Sequence, residues 1–186
     1  MALWLVVLAP LIAQITLEST SLLRPGSELP PTASGVYVGT AVALLRGGEW
    51  MAVGAPTAAG GGSTRGAVWI RHRTSGSTSN VTLPLLDAAA FGTALAAVPD
   101  VFGDEPVGGA TLAVGATESA STGSGSMYII QLSAAAALVR YVRVTSGSPG
   151  FDTSLIAGDS FGKAIAVLPD LTIAVSAPDT VRPVIT

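Results

Sequence analysis

An all-β protein assembled from a repeated antiparallel unit is the fold class this sequence predicts, and three observations predict it. One phrase occurs three times: Val38-Gly39-Thr40-Ala41-Val42-Ala43-Leu44-Leu45 then Met51-Ala52-Val53-Gly54-Ala55-Pro56; Phe91-Gly92-Thr93-Ala94-Leu95-Ala96-Ala97-Val98 then Leu112-Ala113-Val114-Gly115-Ala116-Thr117; Phe161-Gly162-Lys163-Ala164-Ile165-Ala166-Val167-Leu168 then Ile173-Ala174-Val175-Ser176-Ala177-Pro178. Its glycines at 39, 92 and 162 stand 53 and 70 residues apart, so each copy is one supersecondary element that must bury its faces against its neighbours. Within each copy small and large apolar residues alternate, which is the period of a strand. Finally, the apolar character comes from short runs of small residues: aromatics are 5% of the chain and mean hydropathy is +0.59, a composition that suits closely packed sheets better than a helical bundle.

The chain starts with Met1 to Leu17, a mostly apolar stretch without a charged side chain. It reads as a secretory signal peptide over residues 1–20; a buried strand or helix and an uncleaved anchor are the other readings. An anchor needs about 20 apolar residues, and Pro10, Gln14 and Thr16 interrupt this one. Residues 21–35, with Pro25, Pro30 and Pro31, read as an extended connector. Residues 36–90 form a first unit, 91–160 a second, and 161–186 the start of a third.

Each unit opens with a strand over the first half of the phrase and turns into a second short strand. Proline cannot donate to a sheet ladder, so Pro56 and Pro178 mark where that strand leaves the sheet. Glycine-rich loops follow, Thr57 to Arg65 and Glu118 to Gly123, then third strands at Gly66–Arg71 and Gly125–Ile130. Fourth strands are expected at Val81–Leu86 and Leu138–Val144. The run Ala134 to Ala137 favours helix by propensity but is too short to nucleate one, and reads as a loop or strand edge. Glycines 39, 92 and 162 read either as sites of close backbone approach or as bulges. Four antiparallel strands per unit, tight turns and no helical period describe a β-propeller blade. The chain holds two nearly complete blades and half of a third, whereas a ring needs about four to eight. Apolar blade faces would be left open, which marks the chain as part of a longer protein, with self-assembly into a ring as the alternative.

Phe91-Gly92 and Phe161-Gly162, with Gly54-Ala55-Pro56, resemble the two halves of FG-GAP repeats, which build the seven-bladed propeller of integrin α chains and related extracellular proteins. The resemblance covers roughly residues 36–178. Val38 stands where the family has Phe, Thr117 where it has Pro, and Ser176 where it has Gly. The resemblance implies an extracellular, secreted or cell-surface, non-catalytic module for adhesion. Its partners would be a protein or glycan ligand bound through the propeller loops, together with a second adhesion subunit. The alternatives are a propeller module of a secreted hydrolase or carbohydrate-binding protein, and a truncated product without independent activity.

The resemblance also implies a calcium loop between the two halves. The second copy alone has room: Gly92 to Gly115 spans 23 residues, against 15 from Gly39 to Gly54 and 14 from Gly162 to Ser176. Asp100 and Asp104 match the first and fifth positions of the family loop, while Phe102 stands where an aspartate or asparagine is expected. Calcium takes six to eight oxygens from a compact loop; the competing reading is a solvated hairpin loop with ordinary surface acids.

Other chemistry is thin. Without cysteine there are no disulfides, thiolate zinc sites or cysteine nucleophiles. A net charge of −3 with one lysine gives no electrostatic basis for nucleic-acid binding or for an anionic membrane surface. Asn80-Val81-Thr82 is a glycosylation sequon if the chain is secreted by a eukaryote; otherwise it is a chance tripeptide. Gly158-Asp159-Ser160-Phe161-Gly162 fits the Gly-x-Ser-x-Gly pattern of a hydrolase elbow, which needs a following helix and a histidine partner. Here a strand is expected to follow, and Ser160 aligns with Ala90. His72, between Arg71 and Arg73, reads as a solvated strand end or a small anion-binding rim.

Overall fold

The computed structural model describes residues 37–58, 66–81, 88–119, 123–151 and 154–179; the expected signal peptide (1–20), the connector (21–35) and Gly60–Gly62 lie outside them. The described chain is all-β. Strands β1 (Val42–Leu45), β2 (Trp50–Ala55), β3 (Ala67–His72) and β4 (Thr78–Val81) form one four-stranded antiparallel sheet in chain order. Strands β5 (Ala88–Val98), β6 (Ala110–Ser119), β7 (Ser126–Leu132) and β8 (Leu138–Val144) form a second with the same order. A third, two-stranded sheet pairs β9 (Ile165–Val167) with β10 (Ile173–Val175).

The repeat in sequence is a repeat in register. Val42 pairs with Val53, Leu95 with Val114, and Ile165 with Val175; one residue on, Ala43 pairs with Ala52, Ala96 with Ala113, and Ala166 with Ala174. Because side chains alternate across a strand, each unit carries its large residues on one face and alanines on the other. The bend at the Gly of the phrase recurs as well, lying ahead of β1 and β9 and, in the second unit, at the irregularity within β5. Thr40 Oγ1 donates to the Tyr37 carbonyl at 3.1 Å, Thr93 Oγ1 to the Ala90 carbonyl at 2.6 Å, and the Lys163 amide to the Ser160 carbonyl at 3.2 Å.

The sheets stack. Between the first and second lies one core: Ala43, Leu45, Trp50, Ala52, Val68 and Ile70 from the first meet Phe91, Leu112, Val114, Tyr128, Ile130 and Leu132 from the second. The opposite face of the second sheet, with Val98, Ala113 and Met127, packs on Phe161 and Leu155, and on the half-buried Ile165, Val167, Ile173 and Val175 of the third. A sheet apolar on both faces is stable only between two others, and each fully buried aliphatic side chain contributes about 1.5–3 kcal/mol. The face of the first sheet turned away from the second gathers Val53, Ala55, Ala67 and Trp69, and there Val42 and Leu44 are 54% and 55% exposed.

Three details differ from the pattern. The fourth strand of the first sheet is Thr78–Val81 rather than Val81–Leu86, of which residues 82–86 lie outside the described residues. Its register, Val68 opposite Val81 and Arg71 opposite Thr78, is set by the tight 73–77 turn, closed by the Gly76 amide on the His72 carbonyl at 2.9 Å. Glu118 and Ser119 extend β6 instead of opening a loop, because Ala88 and Ala89 continue β5 opposite them. And the three phrase glycines do not share one role. All have positive φ, +87° at Gly39, +95° at Gly92 and +93° at Gly162, which glycine tolerates best. Only the latter two are also sites of close backbone approach: a methyl group on Gly39 would meet no atom of the described residues within 4 Å.

Candidate functional site

The joint between sheets is where the two halves of the phrase meet. A methyl group on Gly54 would overlap the carbonyl oxygen of Gly92, and one on Gly115 would overlap that of Gly162. Alongside, Gly66 forms a parallel bridge to Phe91, and Gly125 the same bridge to Phe161. Each Gly-Ala of one sheet thus receives the Phe-Gly of the next, backbone against backbone. Phe91 then inserts into the core, edge-on to Tyr128 with ring centroids 5.6 Å apart.

This joint also accounts for the hydrolase-like pentapeptide. Ser160 has a φ of +53°, but Ala90, its counterpart, has +60°. The unusual backbone therefore belongs to the turn preceding Phe-Gly, not to a nucleophile. Strand β9 follows, rather than the helix an elbow requires. His72 ends β3 in the first sheet and engages Glu49 Oε1 through Nε2 at 3.3 Å. Its neighbours are also committed locally: Arg71 Nη1 donates to the Gly76 carbonyl at 3.4 Å and Arg73 Nη1 to that of Gly48 at 2.9 Å.

The Asp100 loop between β5 and β6 is the most elaborate polar feature. Asp100 Oδ1 accepts the amides of Phe102 and Gly103, both at 3.0 Å, and Oδ2 accepts that of Glu105 at 2.7 Å. The Glu105 amide above all holds the Asp100 carboxyl below its usual value; desolvation opposes it, and the amides of Phe102 and Gly103 and then the charge of Arg140 add to the lowering. The loop folds onto three cross-strand neighbours, Thr111 on β6, Gln131 on β7 and Arg140 on β8. Thr111 Oγ1 donates to Glu105 Oε1 at 3.2 Å, Gln131 Nε2 to Asp104 Oδ1 at 3.5 Å, and Arg140 Nη2 to the same oxygen. The guanidinium lies 4.2 Å from the centre of the Phe102 ring. Thr111 and Gln131, spaced twenty residues apart, are both buried; nothing in the local sequence announces them as loop anchors.

A calcium ion does not fit this donor set. The Asp100 carboxylate is turned into a ring of amide hydrogens, Asp104 faces a guanidinium, and the intervening position is a phenyl ring. Among the described residues no group of three or more His, Cys, Asp or Glu side chains is placed to hold a metal ion.

Asn80 sits on β4, the edge strand of the first sheet, opposite Trp69, and is exposed. A small cleft of about 100 Å³ opens between the sheets, lined by Trp50, His72, Ser77 and Ser79 of the first and by the Ala134–Ala136 turn of the second. Ligand pockets for small molecules run to roughly 300–1,000 Å³, so this cleft takes no more than the edge of a larger partner. Neither a protein-family model nor a curated protein sequence matches this chain.

Proposed function

We propose that this chain is a segment of an extracellular, non-catalytic FG-GAP β-propeller, similar to the integrin α head, that serves adhesion by recognising a protein or glycan ligand. One observation carries the reading: the same joint occurs twice in succession, Gly54 against Gly92 and Gly115 against Gly162, with the same parallel bridge beside it. Two successive joints of one kind support a repeated placement of sheets, and antiparallel four-stranded sheets repeated about an axis make a propeller. The phrase is then a device for assembling blades, and function resides in what the blades hold outward. The recognition loops are those expected at Thr57–Arg65 and Glu118–Gly123, of which residues 59–65 and 120–122 lie outside the described residues. Loops gathered on a rigid scaffold are where recognition concentrates.

The test is adhesion to the immobilised protein, comparing wild type with two variants. In one, residues 59–65 are replaced by a Gly-Ser linker of equal length, sparing Thr57 and the buried Ala58; in the other, Ser160→Ala removes the hydroxyl of the hydrolase-like pentapeptide. The proposal expects cells or glycan-coated beads to be retained by wild type and by Ser160→Ala, and lost on the loop variant with its melting temperature unchanged. Retention equal on all three surfaces and on a bare control, or ester hydrolysis that Ser160→Ala abolishes, would overturn it.

A further inference from the structure

We propose that Arg140 is the built-in cation of the Asp100 loop, taking the part a divalent metal would play, so that this unit is ordered without calcium. A metal in such a loop draws carboxylates from separate positions onto one positive centre. Here the positive centre is a guanidinium delivered from β8, 36 residues beyond Asp104. It meets Asp104 at its edge and Phe102 on its face, the two groups a planar cation engages best. The aromatic residue at 102 and the arginine at 140 therefore belong together. A phenyl ring contributes nothing to a metal ion that prefers oxygen, but it is a good seat for a guanidinium.

The remainder of the loop is built to match. Asp100 supplies an internal anion to three amide hydrogens, and so fixes the backbone between residues 100 and 105 from within. Thr111, Gln131 and Arg140, neighbours in one row across the sheet, tie Glu105 and Asp104 down from outside. An exposed ion pair alone contributes little. What gives this one weight is that Gln131 and the ring hold the partners in place, against the cost of Arg140 Nε, which is buried without a hydrogen-bond partner among the described residues.

The inference concerns loop order and does not depend on which ligand the protein recognises, so it can fail while the adhesion reading stands. It is tested on the purified chain by calorimetric titration with calcium chloride after chelation, and by thermal melts in millimolar calcium and in chelator. Wild type should give no binding isotherm and coincident melts. Arg140→Ala should melt lower by about 3 °C or more in both buffers, and Arg140→Lys, which keeps the charge and loses the flat face, should fall between. A one-to-one calcium isotherm on wild type, or a melt raised by calcium by about 3 °C, would overturn it, as would an Arg140→Ala melt equal to wild type. If Arg140→Ala does not fold, the wild-type nitrogen-15 spectrum decides. An Arg140 side-chain resonance displaced by the Phe102 ring and restored by Phe102→Leu supports the seat; an unperturbed resonance removes it.

Discussion

Gly54 and Gly92 touch through their backbones: there is no room for even a methyl group between the Gly54 α-carbon and the Gly92 carbonyl oxygen. Gly115 and Gly162 repeat the contact one sheet later. Gly54 and Gly115 have no left-handed backbone requirement, so their lack of a side chain serves contact alone. Gly54→Ala and Gly115→Ala should therefore each destabilise by roughly 2–3 kcal/mol, since overpacking forces the backbone apart. Gly39→Ala, whose added methyl meets no atom of the described residues within 4 Å, should cost only its positive-φ strain, about 1–2 kcal/mol. Urea unfolding of the three variants checks the order; equal losses would show that the joint is not the tight element.

Phe91 is the side chain that locks the first joint. It is 2% exposed, packs edge-on against Tyr128, and its backbone bridges to Gly66. Phe91→Ala should cost about 3–5 kcal/mol, as for other buried aromatic truncations, and Phe91→Leu distinctly less. Against a total stability of roughly 5–15 kcal/mol, the alanine variant should show its first and second sheets uncoupling, read as faster amide exchange in β3 and β7. A Phe91→Ala protein with unchanged midpoint and exchange would remove the core role assigned to the ring.

Acid should loosen the Asp100 loop. Its carboxyl is held below the ordinary carboxylate value by the Glu105 amide first, then those of Phe102 and Gly103. A depressed pKa means the folded state prefers the charged form, so the stabilisation is fully present above the unfolded value of about 3.9 and fades as pH falls through the lowered folded value. Asp100→Asn should melt below wild type at neutral pH, with the gap closing as both are acidified past pH ~4. A gap that stays constant down to the acid end would mean that the charge of Asp100 is not what orders the loop.

Asn80 is exposed on an edge strand, where a bulky glycan would also block edge-to-edge pairing with other chains. Expression through a eukaryotic secretory pathway should yield a species whose mass drops on N-glycosidase treatment, and Asn80→Gln should abolish the difference. Secreted protein with no glycan at Asn80 would leave the sequon a chance tripeptide.

The extent to which the sequence announced this architecture can be judged element by element. Strands β1, β2, β5, β6, β9 and β10 fall on the three written copies of one phrase, with β5 starting three residues before its copy and β6 overrunning its copy by two residues at each end, and β7 and β8 coincide with their apolar runs to within two residues. Alternation is a local property that one pass along the chain reveals. Strand β4 was displaced because Thr78, Ser79 and Asn80 carry no apolar alternation, and their place in the sheet comes from the hairpin turn at 73–77. Ser160 was legible as a turn residue only through its alignment with Ala90, and its φ bears out that alignment. The Asp100 loop was visible as an insertion with acids, but its cation was not. Arg140 looks like any charged residue of an edge strand until β7 and β8 pair and bring it beside Gln131.

By itself, then, the order of residues determined the all-β class, the strand-turn-strand unit and its recurrence, since each depends on periodicity, glycine and proline acting over a few positions. Tertiary structure alone decided which of the repeated glycines are contact points, which face of each sheet meets which neighbour, and what neutralises Asp104. Those outcomes depend on groups far apart in the chain being brought within a few ångströms, and local propensity holds no record of that.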